Sequence, residues 1–372
     1  RFAQRIKLGL FSMRNLADSQ HSRAWHLVPL AFVILGLTSC GGGGGGSAPA
    51  PAPVVNLPPV ASNTCPTIVD SLPSLGVTLA ASDPNGDTLT YTITNQPANG
   101  TVTPSSNTTG VFTYTPNIVS IRRGMDRFTF TVTDPGGLTS APATVTILKD
   151  GKVRIMPLGD SITEGTGDLN GAGYRRPLFQ GLETLIGTGR VDFVGSLSSG
   201  SPADFDLDHE GHGGWCDDAP CSFGNINDSV VGFLSGNPAD IILLHIGTNN
   251  FNESNVGVNS ILTNINSWAQ LNYPVKVFVA RIIPSRDGTL GNVNTFNENV
   301  TTIAATIRSH TTVQMVNQQT GAGIHNTGDV TGNTGNPAFY DDNLHPNVAG
   351  YNLIADKWRT DLVASDVLPS CP

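Results

Sequence analysis

From residue 152 onward the chain alternates between two hydrophobic rhythms. KVRIMPLG (152–159), VDFVGS (191–196), DIILLHIG (240–247), VKVFVARIIP (275–284) and VQMVNQ (313–318) are short apolar, β-branched runs, the pattern of strands covered on both faces. Between them YRRPLFQGLETLI, INDSVVGFLSG, NSILTNINSWAQL, FNENVTTIAATIRSH and VAGYNLIADKWRTDLV carry apolar residues at helical spacing. Five strands alternating with helices predict a three-layer, doubly wound α/β domain over 150–372, its parallel five-stranded sheet of the flavodoxin-like kind. Such sheets bind ligands beyond the carboxyl ends of their strands. GDS (159–161), GTNN (247–250) and IIPSR (282–286) fall at such ends.

Residues 61–149 have a different texture. VTLAAS, DTLTYTIT, GTVT, GVFTYTP, DRFTFTVTD and TSAPATVTIL alternate Thr with Val, Leu, Phe or Tyr, and DPNGD, QPANG and DPGG break them. Period-two runs with turns every ten or so residues predict an all-β sandwich of immunoglobulin-like type. Asp83, Asn85 and Asp87 place oxygens at alternate positions of DPNGD, which suits either a calcium ion or a plain turn.

The first 60 residues read as processing and spacing. LVPLAFVILGL (27–37) comes after Arg14 and Arg23 and has the length of a signal-peptide core. It ends in Leu-Thr-Ser-Cys, similar to a bacterial lipobox, so residues 1–39 are expected to be a lipoprotein signal peptide with upstream residues, Met13 a better first residue, and Cys40 the lipidated residue. Residues 40–60 form a Gly/Pro linker. These features predict an exported protein held at a cell surface or outer membrane through lipid alone.

Composition narrows the partners. Net charge is −9, and the leader holds five Lys/Arg against one Asp, so the acidity belongs to residues 40–372 and argues against nucleic acid. With Cys40 set aside, Cys65, Cys216, Cys221 and Cys371 remain, and four cysteines allow three pairings. CDDAPC suits a short Cys216–Cys221 loop, leaving Cys65 and Cys371 to each other.

Ser161 opens a turn after the first α/β strand, where a serine is either a helix cap or a nucleophile. A nucleophile needs a base, the base an orienting group, and an oxyanion its donors. Of eight histidines, His245 is mid-strand and expected in the core, His310 closes a predicted helix, and His325 lies in a Gly/Asn-rich loop. His345, in YDDNLHPNVAGY, has Asp342 three residues upstream and Pro346 at a predicted helix start; it is the expected base. In DHEGHGGW (208–215), read as loop, His209, Glu210 and His212 have metal-ligand chemistry but no well-spaced third partner. Gly214 can bring a backbone N–H close to a substrate oxygen, and Asn249 offers a side-chain amide.

GDS, a glycine in a following loop, G-x-N after the third strand and D-x-x-H near the C-terminus resemble, in that order, the four blocks of the SGNH (GDSL-type) hydrolases. GDSITEG, YRRPLF, VDFVGS, DHEGHGGW and GTNN are closer still to carbohydrate esterase family three, the acetyl xylan esterase branch, over essentially all of 150–372. The resemblance implies Ser161 as nucleophile, His345 as base and Asp342 as its orienting acid. The Ser161 and Gly214 N–H groups and the Asn249 side chain are then the oxyanion donors. It implies hydrolysis of O-acyl esters, O-acetyl above all, on polysaccharide through an acyl-serine, with no cofactor for the chemistry. Arg175 and Trp215 are candidate sugar contacts. Asn250 stands where the third block often has Asp, and CDDAPC is an unusual insertion. The sandwich resembles bacterial cadherin-like modules. Rival expectations are a lipase, lysophospholipase or thioesterase on the same fold, and a carbohydrate-binding surface protein without activity.

Overall fold

The computed structural model describes residues 54–69, 72–117, 125–249, 256–288, 293–329 and 333–369. The leader, Cys40, Cys371, Asn250 and most of the linker lie outside these residues.

Among the described residues nine strands make the N-terminal sandwich: β1 (Val60–Ser62), β2 (Thr67–Ile68), β3 (Leu75–Thr78), β4 (Ala80–Ser82), β5 (Thr90–Asn95), β6 (Gly100–Ser106), β7 (Val111–Pro116), β8 (Met125–Thr133) and β9 (Ala143–Lys149). They form a four-stranded sheet β2-β9-β8-β5, a three-stranded sheet β3-β7-β6 and a β1-β4 pair. In β8 every second residue is buried, so Phe128, Phe130 and Val132 meet Phe112, Tyr114 and Val145 in the core. The same phase buries Asp126. Its carboxylate accepts the Ala98, Asn99 and Arg127 N–H groups and the Tyr114 hydroxyl, replacing lost water contacts.

The DPNGD turn closes on itself. Asp83 Oδ1 accepts the Asn85 and Asp87 N–H groups, and Asn85 Oδ1 accepts that of Leu57. Asp83 Oδ2 is buried without a hydrogen-bond partner among the described residues. Among the described residues no group of three or more His, Cys, Asp or Glu could hold a metal ion. The hydrogen bonds among Asp83, Asn85 and Asp87 are those of a turn.

The α/β part runs β10 (Val153–Gly159), α1 (Ser161–Glu164), α2 (Arg175–Ile186), β11 (Val191–Phe193), β12 (Leu197–Ser198), β13 (Asp208–Gly211), α3 (Ile226–Gly236), β14 (Ile241–His245), α4 (Val256–Leu271), β15 (Val275–Arg281), α5 (Val293–Ala304), β16 (Thr311–Asn317), α6 (Gln318–Gly321) and α7 (Val348–Ala364). The sheet order is β12-β13-β10-β14-β15-β16, with β11 beside β10. Pairings are parallel except β12 with β13. Successive strand residues serve opposite faces. Ile241, Leu243 and Phe278 join α2 and α7 residues in one core; Ile242, Leu244 and Val277 join α3, α4 and α5 residues in the other. This is why the strands read as unbroken apolar runs. It is a three-layer, doubly wound α/β fold.

Three local expectations are corrected. The lane beside β10 is shared: β11 pairs with Val153–Ile155, and β13 with Leu158 and Gly159. The start of DHEGHGGW is therefore strand, not loop; four residues are too short to show a period. The fourth predicted helix stops at Ala304, where Arg308 Nη1 donates to the Ile303 and Thr306 carbonyls, so His310 closes no helix. Pro346 lies just ahead of α7 rather than at its first position, and Asn347 caps the helix, its Oδ1 accepting the Ala349 and Gly350 N–H groups.

Candidate active site

The doubly wound order puts three strand ends side by side. β10 lies between β13 and β14, with Gly159 opposite Gly211 on one flank and His245 on the other. The chain leaves β10 at Asp160-Ser161, β13 at His212–Trp215 and β14 at Thr248-Asn249. The strand order reverses at β10, which is where such folds open a crevice. Gly159 is demanded by the crowding: a Cβ there would lie 2.0 Å from the His245 carbonyl oxygen.

Asp160 caps α1, its Oδ1 accepting the Ile162 N–H at 3.0 Å. Burial pushes its carboxyl up to about 6, against the pull of the Ile162 N–H and Thr248. Ser161 follows as the first helical residue, so its own N–H has no intrahelical acceptor. Its hydroxyl donates to His345 Nε2, the heavy atoms 2.9 Å apart.

His345 arrives from 184 positions away. Its Nδ1–H donates to Asp342 Oδ2 at 2.8 Å, which leaves Nε2 as the acceptor. Asp342 Oδ1 accepts the Leu344 and His345 N–H groups. Partial burial alone would raise the Asp342 carboxyl, but these bonds and the His345 ring outweigh it and hold it down to about 2. The carboxylate is therefore ionised wherever a histidine can be neutral. The loop is pinned from β15's extension: Arg286 N–H and guanidinium donate to the Asn343 carbonyl and Oδ1, and the Tyr340 hydroxyl donates to the Pro284 carbonyl. Arg286, Asp342, Asn343, Leu344 and His345 line a shallow hollow.

The structure thus brings Ser161, His345 and Asp342 into one hydrogen-bonded row. Gly214 lies in a turn closed by the Trp215 N–H on the His212 carbonyl, with φ +78°, a conformation that favours glycine. Asn249 is exposed at the end of the β14 lane, and its Nδ2 donates to the Trp215 carbonyl at 2.8 Å. Cys216 and Cys221 are disulfide-bonded. Cys65 is in a disulfide too, while Cys371 lies outside the described residues.

One candidate sugar contact is corrected. Arg175 is wholly buried, donating to the Thr163, Glu164, Gly171, Ser199 and Leu207 carbonyls; it ties the end of α1 to neighbouring loops and meets no solvent. Trp215 is half-buried; it stacks on His212, ring centroids 4.1 Å apart, and a Cβ on Gly224 would strike its indole. His209 and His212 also diverge. His209 Nε2–H donates to Ser199 Oγ, its Nδ1 accepting the Gly211 N–H, and His212 Nε2–H donates to Glu210. Sequence reasoning missed the Arg175 hub, for which the only signal was an arginine in an otherwise apolar helix face.

Residues 56–151 match the model of the bacterial cadherin-like domain. A multidomain esterase of Ruminococcus flavefaciens is 30% identical over 237 residues, 56% of this chain and 28% of the relative. The chain thus spans little more than a quarter of that protein. A carbohydrate esterase family 3 structure from Talaromyces cellulolyticus has 26% identity and a TM-score of 0.45, covering 58% of this chain and all of the other. An acetyl esterase, crystallised as a serine-to-alanine mutant with an acetate ion, has 24% identity and a TM-score of 0.44, covering 57% and 97%. The chain is thus similar over residues 56–151 to the bacterial cadherin-like domain and over 237 residues to a multidomain esterase.

Proposed function

We propose that this chain is a serine esterase that removes O-acyl groups, O-acetyl first among them, from a polysaccharide such as acetylated xylan. The observation that carries the reading is the continuous row Ser161–His345–Asp342 at the carboxyl edge of the sheet. In the proposed reaction the Ser161 Oγ attacks the ester carbonyl carbon as its proton passes to His345 Nε2. Asp342 holds the ring and balances the imidazolium. The Ser161 and Gly214 N–H groups and the Asn249 amide hold the oxyanion. The sugar hydroxyl then leaves with the proton from His345, and water, activated by the same histidine, releases acetate from the acyl-serine. This chemistry draws on no metal or organic cofactor.

The same proposal places the protein outside the cytoplasm, held to a membrane by lipid on Cys40. The leader pattern supports this, as does the Cys216–Cys221 disulfide, since such bonds persist in oxidising compartments. Labelling cells with a fatty-acid probe, with Cys40→Ser as control, tests it; label retained in the variant sinks it.

The catalytic test is hydrolysis of p-nitrophenyl acetate by the purified protein, followed by acetate release from acetylated xylan, pectin and chitin oligomers. Ser161→Ala is expected to lower kcat by at least ~10⁴-fold. Unchanged activity in that variant ends the proposal. A preference for octanoyl over acetyl esters would move it to the lipase class.

A further inference from the structure

Asn249 can serve an oxyanion only if its amide presents nitrogen rather than oxygen. The Trp215 carbonyl decides which. A carbonyl can only accept, so the bond at 2.8 Å fixes Nδ2 on that side. One N–H of the NH₂ group is used there, and the second is left for the exposed crevice. Turning the amide over would set Oδ1 against the Trp215 carbonyl and remove the donor.

The carbonyl itself is held by a chain of buried and half-buried groups. Trp215 N–H closes the turn on the His212 carbonyl at 3.2 Å, and its indole lies almost parallel to the His212 ring, 20° off. His212 also stacks on Phe233 of α3, centroids 5.0 Å apart. Its Nε2–H reaches Glu210 Oε2 at 2.9 Å. Glu210 is fully buried and further fixed by the Ser196 N–H and hydroxyl. No sugar contact is needed to explain any of these side chains.

We propose that Glu210, His212 and Trp215 are positioning residues: they hold the Trp215 carbonyl as a lock that keeps the Asn249 amide with an N–H toward the oxyanion. The inference rests on the esterase reading and on Asn249 as donor. It makes the DHEGHGGW and GTNN segments one device rather than two independent contributions.

The test is a double-mutant cycle on the full chain with p-nitrophenyl acetate. Asn249→Ala is expected to lower kcat by ~10²–10³-fold. His212→Ala is expected to lower kcat by roughly tenfold or more with KM little changed, because the interaction is made in the transition state. In the Asn249→Ala background, His212→Ala should then change kcat by less than about threefold, since coupled residues are non-additive. Affinity for a boronate inhibitor should fall in parallel with kcat in His212→Ala, while inhibition by acetate stays put; a general loosening of the fold would weaken both. His212→Phe, which keeps the stack and loses the Glu210 bond, covers the case in which the alanine variant does not fold and should show the same non-additivity. Additive losses, or a His212→Ala kcat within twofold of wild type, overturn the lock. An Asn249→Ala enzyme with undiminished kcat removes the donor and the lock with it, while Ser161→Ala still decides separately whether the chain is a serine esterase.

Discussion

His245 is wholly buried at the end of β14, and among the described residues both ring nitrogens lack hydrogen-bond partners. Burial lowers it to about 4, against about 6.5 in the unfolded chain. Between those values the unfolded chain binds a proton and the fold does not, so stability falls as pH drops through that window. The penalty is on the order of 3 kcal/mol by pH 4. Asp160 works the other way: its raised carboxyl favours the fold at low pH, and that contribution is lost as pH rises from about 3.8 through 6. Wild type and His245→Leu must therefore be compared at each pH. Urea unfolding at pH 7 and pH 4.5 should show wild type losing ~2 kcal/mol more than the variant over that interval. Equal losses would mean the ring finds a proton partner after all. The histidine's burial was legible in DIILLHIG, because a residue inside an unbroken apolar strand run has nowhere else to go. Its lack of partners was not, since neighbouring elements decide what faces a ring.

Among the elements, α1 has a single turn and little stability of its own. Arg175, the first residue of α2, compensates by binding the carbonyls of Thr163 and Glu164 at its C-terminal end, where a cation is favoured. Burial pushes the guanidinium down to about 10, still well above neutrality. Arg175→Met keeps the apolar stem but strands several carbonyls without donors, so unfolding free energy should drop by ~3 kcal/mol or more. Arg175→Lys should recover part of it, because an ammonium has three donors and the sites need five. Denaturant titration reads this directly; a methionine variant as stable as wild type would show that water replaces the guanidinium. Here the sequence misled, because a paired Arg-Arg at a helix start looks like an exposed face. The partner carbonyls belong to four separate stretches of chain, and none is visible until those stretches converge.

For the molecule as a whole, packing and the Arg127 side chain join the sandwich to the α/β part among the described residues. Leu148 of β9 belongs to the core shared with α2 and α7, and Cys65 and Met125 pack against it. Arg127 of β8 crosses over to donate to the Asp366 and Leu368 carbonyls beyond α7. Two parts that share a core should melt together. Calorimetry of the wild type is expected to give one transition, and Arg127→Ala should broaden or split it, lowering its midpoint by a few degrees. An unchanged single transition would assign the coupling to Leu148 and its neighbours alone.

The periods of the strands and helices are written in the chain, and with them an all-β sandwich ahead of a doubly wound sheet. Hydrophobic period follows directly from which faces are covered. The candidate chemistry was legible there too, because Asp342 and His345 are three residues apart and local geometry suffices to pair them. The pairing of His345 with Ser161 was expected from the order of the blocks; the 2.9 Å contact across 184 positions, and that β13 rather than a loop brings Gly211 beside Gly159, came only with the folded arrangement. So did the inward-facing side chain of Arg175, and the hold on Asn249 by a carbonyl from another strand's end. Each of these depends on which strand ends lie side by side, and strand order is set by long-range pairing that leaves no mark on local sequence.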